Sequence, residues 1–298
     1  AAGSNSISLT EGDVNIDARN TGTSTRDSAT GMSANSGENS VDVGNGNVTV
    51  NATGGGTAEG IYAFGGVNTI KADGDVDVNT SGSSYAEGMF ATSTGKNTIT
   101  VEYGNVTLNT NADYVATGVG AYASSANAID TGSGDVNVST NSAYSDAQGM
   151  NAAGSGSNTI TAEGGNITVT ANGYMTGDAV RAASSGNNTI TTKDGDVNIT
   201  GNASRAASGL NASTSGTNVI NAENGDVNIS AHSVYTDGKG MSAESGGSNT
   251  INADNGNVTI SGSGAQLSYG MYSAFSSSNI INAGGDVTVM GDSSNDSG

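Results

Sequence analysis

The 298-residue sequence contains no cysteine, no proline and no tryptophan, and its only histidine is His232. Without cysteine, the chain has neither a disulfide framework nor a thiolate metal site. The absence of proline suits strands in which every backbone N–H takes part in a hydrogen-bonded ladder. A Ser-His-Asp site would have to use His232, and although Asp237 lies close to it in sequence, both fall in a segment where polar residues are expected.

Basic and aromatic residues are also scarce. Eight Lys and Arg stand against 28 acids, which gives a formal net charge of −20, and aromatics make up 4% of the chain. Such a surface repels phosphate backbones and anionic lipid headgroups, so we expect no nucleic-acid partner and no direct membrane insertion. A sequence with few large apolar residues is typical of disordered chains. The regular alternation of Val and Ile with polar residues nevertheless indicates a folded chain.

One unit of about thirty residues recurs ten times along the chain. Each unit contains an asparagine two residues before an Ile or Val and, later, a Gly-Asp or Gly-Asn turn that precedes another Val or Ile. A period of roughly 20–50 residues is typical of solenoids, propellers and arrays. The ten asparagines are Asn5, Asn39, Asn68, Asn97, Asn127, Asn158, Asn188, Asn218, Asn249 and Asn279.

Three short segments in each unit alternate apolar and polar residues, which is the pattern of a strand with one buried face. Examples are Ile160 with Ala162, Val136 with Val138, and a third segment of the form Met-x-Ala. Three short strands per rung, separated by glycine-rich corners, predict an all-β fold. We expect a right-handed parallel β-helix, or β-solenoid, of about ten rungs of ~30 residues.

The repeated asparagine is assigned a structural role at a corner of the rung. Asparagine tolerates the left-handed backbone conformation, and its amide can bond the next asparagine of the stack or the turn backbone. The alternative is an asparagine ladder on a ligand-binding face. At the Gly-Asp turns, acids such as Asp75 alternate with residues such as Asn105. Because calcium needs several oxygens that converge in one loop, we expect turn chemistry here, with no metal and no cofactor.

A partial column of tyrosines occupies the segment between the second and third strands, which is expected to vary from seven to twelve residues. Stacked aromatics suit contact with carbohydrate or protein, because tyrosine combines an apolar ring with a polar tip. The alternative is that these rings cap the interior near a corner. A second aromatic set, Tyr62, Phe90, Tyr122 and Tyr272, follows the methionine positions and is expected to face outward. The candidate binding residues are Tyr85, Tyr114, Tyr144, Tyr174 and Tyr235.

Catalytic motifs are weak in this sequence, and we expect no enzymatic activity. The run Gly291-Asp292-Ser293 is similar to the Gly-Asp-Ser-Gly of trypsin-like serine proteases but lacks the following glycine. Glu59 and Glu87 would lie one rung apart, about 5 Å from each other by strand spacing, and polysaccharide-degrading β-helices use paired acids. Thr-x-Thr pairs on the first strand suggest ice binding, but the array is interrupted and threonine is a common outward strand residue.

The units, for example the run from Gly60 to Val78, resemble the passenger repeats of bacterial autotransporter and filamentous-haemagglutinin-type proteins. The resemblance covers nearly the whole chain and is one of repeat style. It implies a bacterial cell-surface or secreted protein that leaves a Gram-negative cell by type V secretion through an outer-membrane barrel. Such proteins often serve adhesion, aggregation or biofilm formation. The implied partners are a host or bacterial surface protein or a glycan, and self-association.

The resemblance leads us to expect a non-enzymatic adhesin segment that forms a stiff rod. The alternatives are a polysaccharide-binding or -degrading β-helix, such as a phage tailspike, and a purely structural spacer. We expect residues 1–298 to form a single β-solenoid domain, with residues 291–298 as a flexible tail. Because the repeat pattern runs into both ends, and the end of a β-helix exposes an unpaired edge, we expect a fragment of a longer passenger.

Overall fold

A computed structural model of the chain describes residues 4–22, 24 and 27–293. In this part of the chain the regular structure is 29 β-strands. None of the described residues lies in a helix that is long and apolar enough to cross a membrane. In chain order the strands are β1 (Ser4–Glu11), β2 (Val14–Asn20), β3 (Ser28–Asn35), β4 (Glu38–Asn45), β5 (Val48–Gly54), β6 (Thr57–Phe64), β7 (Val67–Ala72), β8 (Val76–Gly82), β9 (Tyr85–Thr92), β10 (Lys96–Val101), β11 (Val106–Ala112), β12 (Val115–Ala123), β13 (Ala126–Thr131), β14 (Val136–Ser142), β15 (Asp146–Gly154), β16 (Ser157–Ala162), β17 (Ile167–Gly173), β18 (Thr176–Ala183), β19 (Asn187–Thr192), β20 (Val197–Ala203), β21 (Ala206–Ser213), β22 (Thr217–Ala222), β23 (Val227–Ser233), β24 (Gly238–Glu244), β25 (Ser248–Ala253), β26 (Val258–Gly264), β27 (Ser268–Ala274), β28 (Ser278–Ala283) and β29 (Val287–Ser293).

Three parallel sheets form because each strand pairs with the equivalent strands of the neighbouring rungs. Sheet A begins with β1, β4 and β7, sheet B with β2, β5 and β8, and sheet C with β3, β6 and β9, each continuing at every third strand to β28, β29 and β27. The register aligns alike residues, so that Ile99 pairs with Ile70 on one side and Ile129 on the other. The prediction of an all-β parallel solenoid of about ten rungs with three strands per rung is confirmed.

Aliphatic side chains from all three sheets fill the interior as continuous columns. Ile70 of sheet A, Val76 and Val78 of sheet B and Met89 of sheet C are fully buried members of one core cluster. A buried alanine such as Ala91 follows the methionine column of sheet C, as expected for a narrow corner. Burial of each Val, Ile or Met side chain stabilises the fold by about 1.5–3 kcal/mol, and the repeat adds this contribution rung by rung.

The corner between sheets C and A is made by residues in the left-handed backbone conformation, most of which are small. Each ladder asparagine is the second residue of its sheet A strand, and the left-handed residues precede it by three or four positions. The expectation that the asparagine itself adopts this conformation is therefore wrong. The left-handed residues at this corner are Ser36, Gly65, Ser93, Ala123, Gly154, Ser184, Ser185, Thr214, Ser215, Ser245, Gly246, Phe275 and Ser276.

The strands of sheets B and C are longer than the sequence pattern predicts. They run for seven to nine residues, so that from the second rung onward only two to four residues connect sheet B to sheet C. The predicted connection of seven to twelve residues is wrong, because strand pairing extends through its Ser, Thr and Asn residues. The predicted tail does not begin at Gly291, because Gly291–Ser293 pair in β29 with β26. Residues 294–298 of that prediction lie outside the described residues.

Candidate functional site

A column of side-chain amides runs along the rod where each sheet A strand begins. Each of the first nine ladder asparagines donates from Nδ2 to Oδ1 of the next, at 2.8–2.9 Å in all nine links. The same Nδ2 donates to a backbone carbonyl in sheet C, for example from Asn127 to Gly120 at 2.7 Å and from Asn158 to Asn151 at 2.8 Å. From Asn68 to Asn249 these residues are at most 2% exposed. Their amides hold the corner and the register, and they do not face a ligand.

A second ladder follows the Gly-Asp and Gly-Asn turns between sheets A and B. In each rung the backbone N–H at this position donates to the side-chain Oδ1 of the previous rung, for example from Asn105 to Asp75 and from Asp135 to Asn105, both at 2.8 Å. Both residue types carry an Oδ1 acceptor, which explains why they substitute for one another. Among the described residues, no group of three or more His, Cys, Asp or Glu side chains could hold a metal ion.

The predicted tyrosine column lies at the edge of the rod between sheets B and C. The five rings are 46–63% exposed and therefore do not cap the interior. Tyr114 and Tyr144 are in ring contact, with centroids 6.0 Å apart. Tyr85 is the first residue of β9, whereas the other four precede their sheet C strands, so Tyr85 stands out of line with them. We call the four loop residues the tyrosine edge: Tyr114, Tyr144, Tyr174 and Tyr235.

A shallow groove of about 430 Å³ runs beside the tyrosine edge. Its floor includes Asn111, Asn141 and Asn172, whose amides are hydrogen-bonded to one another at 2.9 Å, and Tyr174 forms part of its wall. Neighbouring amides and phenol rings provide hydrogen-bonding groups next to apolar faces. This combination suits a sugar or a polar peptide surface.

A bulge in every sheet C strand draws two columns of outward side chains together on the outside of the rod. In β15 the inward positions Gly149 and Met150 are consecutive, and a Cβ on Gly149 would lie 2.5 Å from a methyl group of Val169 in sheet B. The bulge brings the outward residues three positions apart towards each other. The Nδ2 of Asn151 accordingly donates to Oε1 of Gln148 at 2.6 Å.

We call this surface the sheet C cleft. Its walls are two columns of outward residues, and several members are buried despite facing outward, among them Thr117, Asn151 and Ser242 at 1–3% exposure. The first wall consists of Thr30, Glu59, Glu87, Thr117, Gln148, Asp178, Ser208, Lys239 and Tyr269. The second wall consists of Ser33, Tyr62, Phe90, Gly120, Asn151, Arg181, Asn211, Ser242 and Tyr272.

Two acids and three aromatic rings meet in the first rungs of the cleft. Glu59 and Glu87 occupy neighbouring rungs of the first wall, opposite Tyr62 and Phe90. The Tyr62 and Phe90 rings are nearly parallel, with centroids 5.8 Å apart. Tyr122, from the next rung, contacts Phe90 at 5.1 Å between centroids.

Electrostatics distinguish the two acids from ordinary surface carboxylates. Burial, and then the neighbouring Glu59 charge, raise the pKa of Glu87 to about 8. Burial also raises the pKa of Glu59, although a 2.7 Å hydrogen bond donated by the Thr30 hydroxyl opposes the shift. Burial and the two nearby carboxylates raise the pKa of Tyr62 in turn. The carboxylate of Glu87 has no hydrogen bond or ion pair within the described part of the chain.

The middle rungs of the cleft hold a polar network instead. The Nδ2 of Asn151 donates to the Tyr122 hydroxyl at 2.7 Å, and Arg181 lies 3.8 Å from Asp178. Burial raises the pKa of Asp178, while the Arg181 charge opposes the shift. Near the far end, the Lys239 ammonium lies 4.4 Å from the Tyr272 ring centroid.

Sequence reasoning singled out the paired acids and the second aromatic set but did not bring them together. In a regular strand, residues three positions apart face opposite sides, so Glu59 and Tyr62 would not share a surface. The available signal was the glycine that recurs between the two outward positions, since a glycine inside a strand often marks a bulge.

Comparison of the chain with protein-family models, with curated proteins and with solved structures found no match.

Proposed function

We propose that this chain is a rod-shaped, non-enzymatic binding segment of a bacterial surface or secreted protein of the adhesin kind. The observation that carries the proposal is the tyrosine edge, where the rings of Tyr114, Tyr144 and Tyr174 stand exposed on three successive rungs and that of Tyr235 two rungs further on. The rungs repeat at about 4.8 Å, so the edge offers evenly spaced contacts to an extended partner. A cell-surface glycan or protein fits this arrangement, and the likeness to passenger repeats supports a location on the bacterial surface.

The test replaces Tyr114, Tyr144 and Tyr174 together by serine. Serine removes the rings but keeps a hydroxyl at exposed positions, so folding should be unaffected. We expect at least about a tenfold loss of affinity, since several aromatic contacts disappear at once. Binding of the purified chain to a glycan panel and to bacterial and animal cells is measured by fluorescence.

Tyr103→Ser is the matched control. Tyr103 is 67% exposed at the turn between β10 and β11, on a different edge of the rod. The control variant should bind like the parent chain. If the triple variant also binds like the parent, the tyrosine edge has no role in binding, and the spacer function takes its place.

Glycan cleavage is the second candidate function, and the Glu59–Glu87 pair favours it. A glutamic acid that stays protonated near neutral pH is suited to donate a proton to a glycosidic oxygen. Binding ranks first because the two carboxylates stand side by side on one wall, with aromatic rings opposite. The carboxyl groups of glycosidases instead flank the scissile bond.

Release of reducing ends from a panel of bacterial and plant polysaccharides tests this second candidate. Turnover by the parent chain that disappears in Glu87→Gln would establish cleavage and displace the non-enzymatic proposal. Turnover that persists in Glu87→Gln would indicate a contaminating enzyme.

A further inference from the structure

The cleft contains two cationic side chains, and each is placed against an acid, an aromatic ring or both. Arg181 faces Asp178 at 3.8 Å from the opposite wall of the same rung. The Lys239 ammonium is 3.2 Å from Oε1 of Glu244 and lies over the Tyr272 ring. The protein itself thus shows how this cleft accommodates a positive charge.

The first rungs of the cleft have the acids and the rings but no cation. In the Asp178 rung, the residue opposite the acid is Arg181. In the first rungs, the residues opposite the acids are aromatic: Tyr62 stands opposite Glu59, and Phe90 stands opposite Glu87. Glu59 accepts one hydrogen bond, from Thr30, and Glu87 accepts none from any described residue. A buried carboxylate normally has a hydrogen-bonding or charged partner. Unlike the Asp178 rung, these rungs of the cleft contain no positive charge.

We propose that the Glu59 and Glu87 rungs of the sheet C cleft bind a guanidinium group, the side chain of an arginine on a partner protein. This inference rests on the proposed binding function and names the chemistry of one partner group. A guanidinium has five N–H donors in a plane, so it can donate to both carboxylates, which lie about 5 Å apart by rung spacing. Its flat face also packs on aromatic rings.

The aromatic rings are placed to pack against a guanidinium. The Tyr62 and Phe90 rings are nearly parallel with centroids 5.8 Å apart, and they form an offset stack that leaves part of each face uncovered. Tyr122 contacts the Phe90 ring from the next rung, and Gly120 leaves room for the Phe90 ring, because a Cβ on Gly120 would lie 2.9 Å from it. The overall charge of −20 also draws cationic partners towards the rod.

A divalent metal and a neutral sugar fit these rungs less well. Calcium takes six to eight oxygens, and among the described residues only the Thr30 hydroxyl is hydrogen-bonded to either carboxyl group. A sugar can donate hydrogen bonds to the two acids, but it brings no charge to stabilise the ionised form of Glu87.

The experiment titrates the full chain with the peptide acetyl-Gly-Arg-Gly-amide and follows the carboxyl carbon signals of Glu59 and Glu87 by NMR. The uncharged citrulline peptide and the lysine peptide are the comparison ligands. We expect the arginine peptide to shift both signals. The citrulline peptide should bind about ten- to a hundredfold more weakly, the range for losing hydrogen bonds to a charged group. The lysine peptide should fall between them.

Two variants test the assignment further. Glu87→Gln should weaken binding of the arginine peptide by a similar factor, whereas Glu163→Gln, an exposed acid outside the cleft, should not. Phe90→Arg places a cation opposite Glu87, as Arg181 stands opposite Asp178, and should abolish binding because the site is then filled from within. Calorimetry in two buffers at pH 7 should show proton release on binding, because the guanidinium favours the ionised form of Glu87.

Equal binding of the citrulline peptide, or full binding by Glu87→Gln, would overturn the proposal, as would shifts produced by neutral oligosaccharides but not by the arginine peptide. Because the tyrosine edge lies outside the proposed arginine site, the triple serine variant tests the proposed binding function independently of the peptide titration. Loss of cell binding in that variant, together with a failed peptide titration, would leave the binding function intact and remove only the arginine site.

Discussion

Asn127 shows at the scale of one residue what the amide column contributes. Its side chain accepts from Asn97 and donates to both Asn158 and the Gly120 carbonyl, at 2.7–2.9 Å, and only 2% of the residue is exposed. Because the site is buried, removal of the amide should leave its partners without these hydrogen bonds.

Asn127→Ala should therefore destabilise the fold by about 3–5 kcal/mol, since unsatisfied buried groups cost about 1–3 kcal/mol each. Urea denaturation followed by circular dichroism measures the change. Asn109→Ala is the control, because Asn109 donates to Asn79 on the half-exposed outer face of sheet B. Water can take over that bond, so the control should lose less than about 1 kcal/mol. Equal losses in the two variants would contradict the role given to the buried column.

Glu87 predicts a pH dependence of stability at the same scale. Its pKa is about 8 in the folded chain and 4.5 as the ordinary value, so the folded state binds more protons between these limits. Stability must then fall as pH rises from about 4.5 to 8. Glu87→Gln should remove about 1–3 kcal/mol of that fall, a range discounted for the partial exposure of the side chain.

Chemical denaturation at pH 5 and at pH 8.5 measures the effect. The neighbouring Glu59, whose pKa is also raised, should retain a smaller slope of the same sign in the Glu87→Gln variant. The exposed Glu163→Gln change should leave the slope caused by Glu87 in place. A parent chain whose stability does not fall over this interval would show that Glu87 is not desolvated.

At the scale of an element, the turn ladder between sheets A and B shows how charge is distributed along a column. Asp and Asn alternate in successive rungs, except for the adjacent pair Asp196 and Asp226. Alternation keeps the Oδ1 acceptor in every rung while separating the carboxylates by two rungs, about 10 Å at strand spacing. Like charges one rung apart would repel more strongly.

Asn105→Asp should destabilise the fold by about 1–2 kcal/mol at low ionic strength, because it places three carboxylates on consecutive rungs. It also removes the hydrogen bond that the Nδ2 of Asn105 donates to Oδ1 of Asp75 at 3.2 Å. Asp196→Asn should change stability in the opposite direction, since it separates the one adjacent pair. Thermal unfolding at low and high salt measures both, and the two effects should shrink as salt screens the charges. Effects that are independent of salt would show that the hydrogen bond alone matters.

At the scale of the whole molecule, most of the fold can be predicted from the sequence repeat. The period and the alternation of residues such as Ile160 and Val136 predict three buried strand faces per rung, and the interior columns follow. The length of the strands was harder to predict, because residues such as Ser81 and Gly82 at the end of β8 have low strand propensity. They pair nonetheless, since the equivalent strands of the rungs above and below offer their backbone groups as hydrogen-bonding partners.

The cleft was not predictable, because its surface depends on a backbone bulge and not on a periodic pattern. Glu87 and Phe90 are three residues apart and meet only because Gly88 and Met89 both turn inward. The outward residues that differ most from rung to rung thus lie on the face formed by sheet C, while the outer faces of sheets A and B stay more regular. A rod with this organisation can vary the outward side chains of sheet C without disturbing the core.

The amide column has one more consequence. All nine of its links run in the same sense, from the nitrogen of one rung to the oxygen of the next towards the C-terminus. Reversing a single amide would set two nitrogens face to face on one side and two oxygens on the other. The rod is therefore polar: its two ends differ in whether the column presents an amide nitrogen or an amide oxygen. Any second rod that continued this column would have to follow it head to tail, and never head to head.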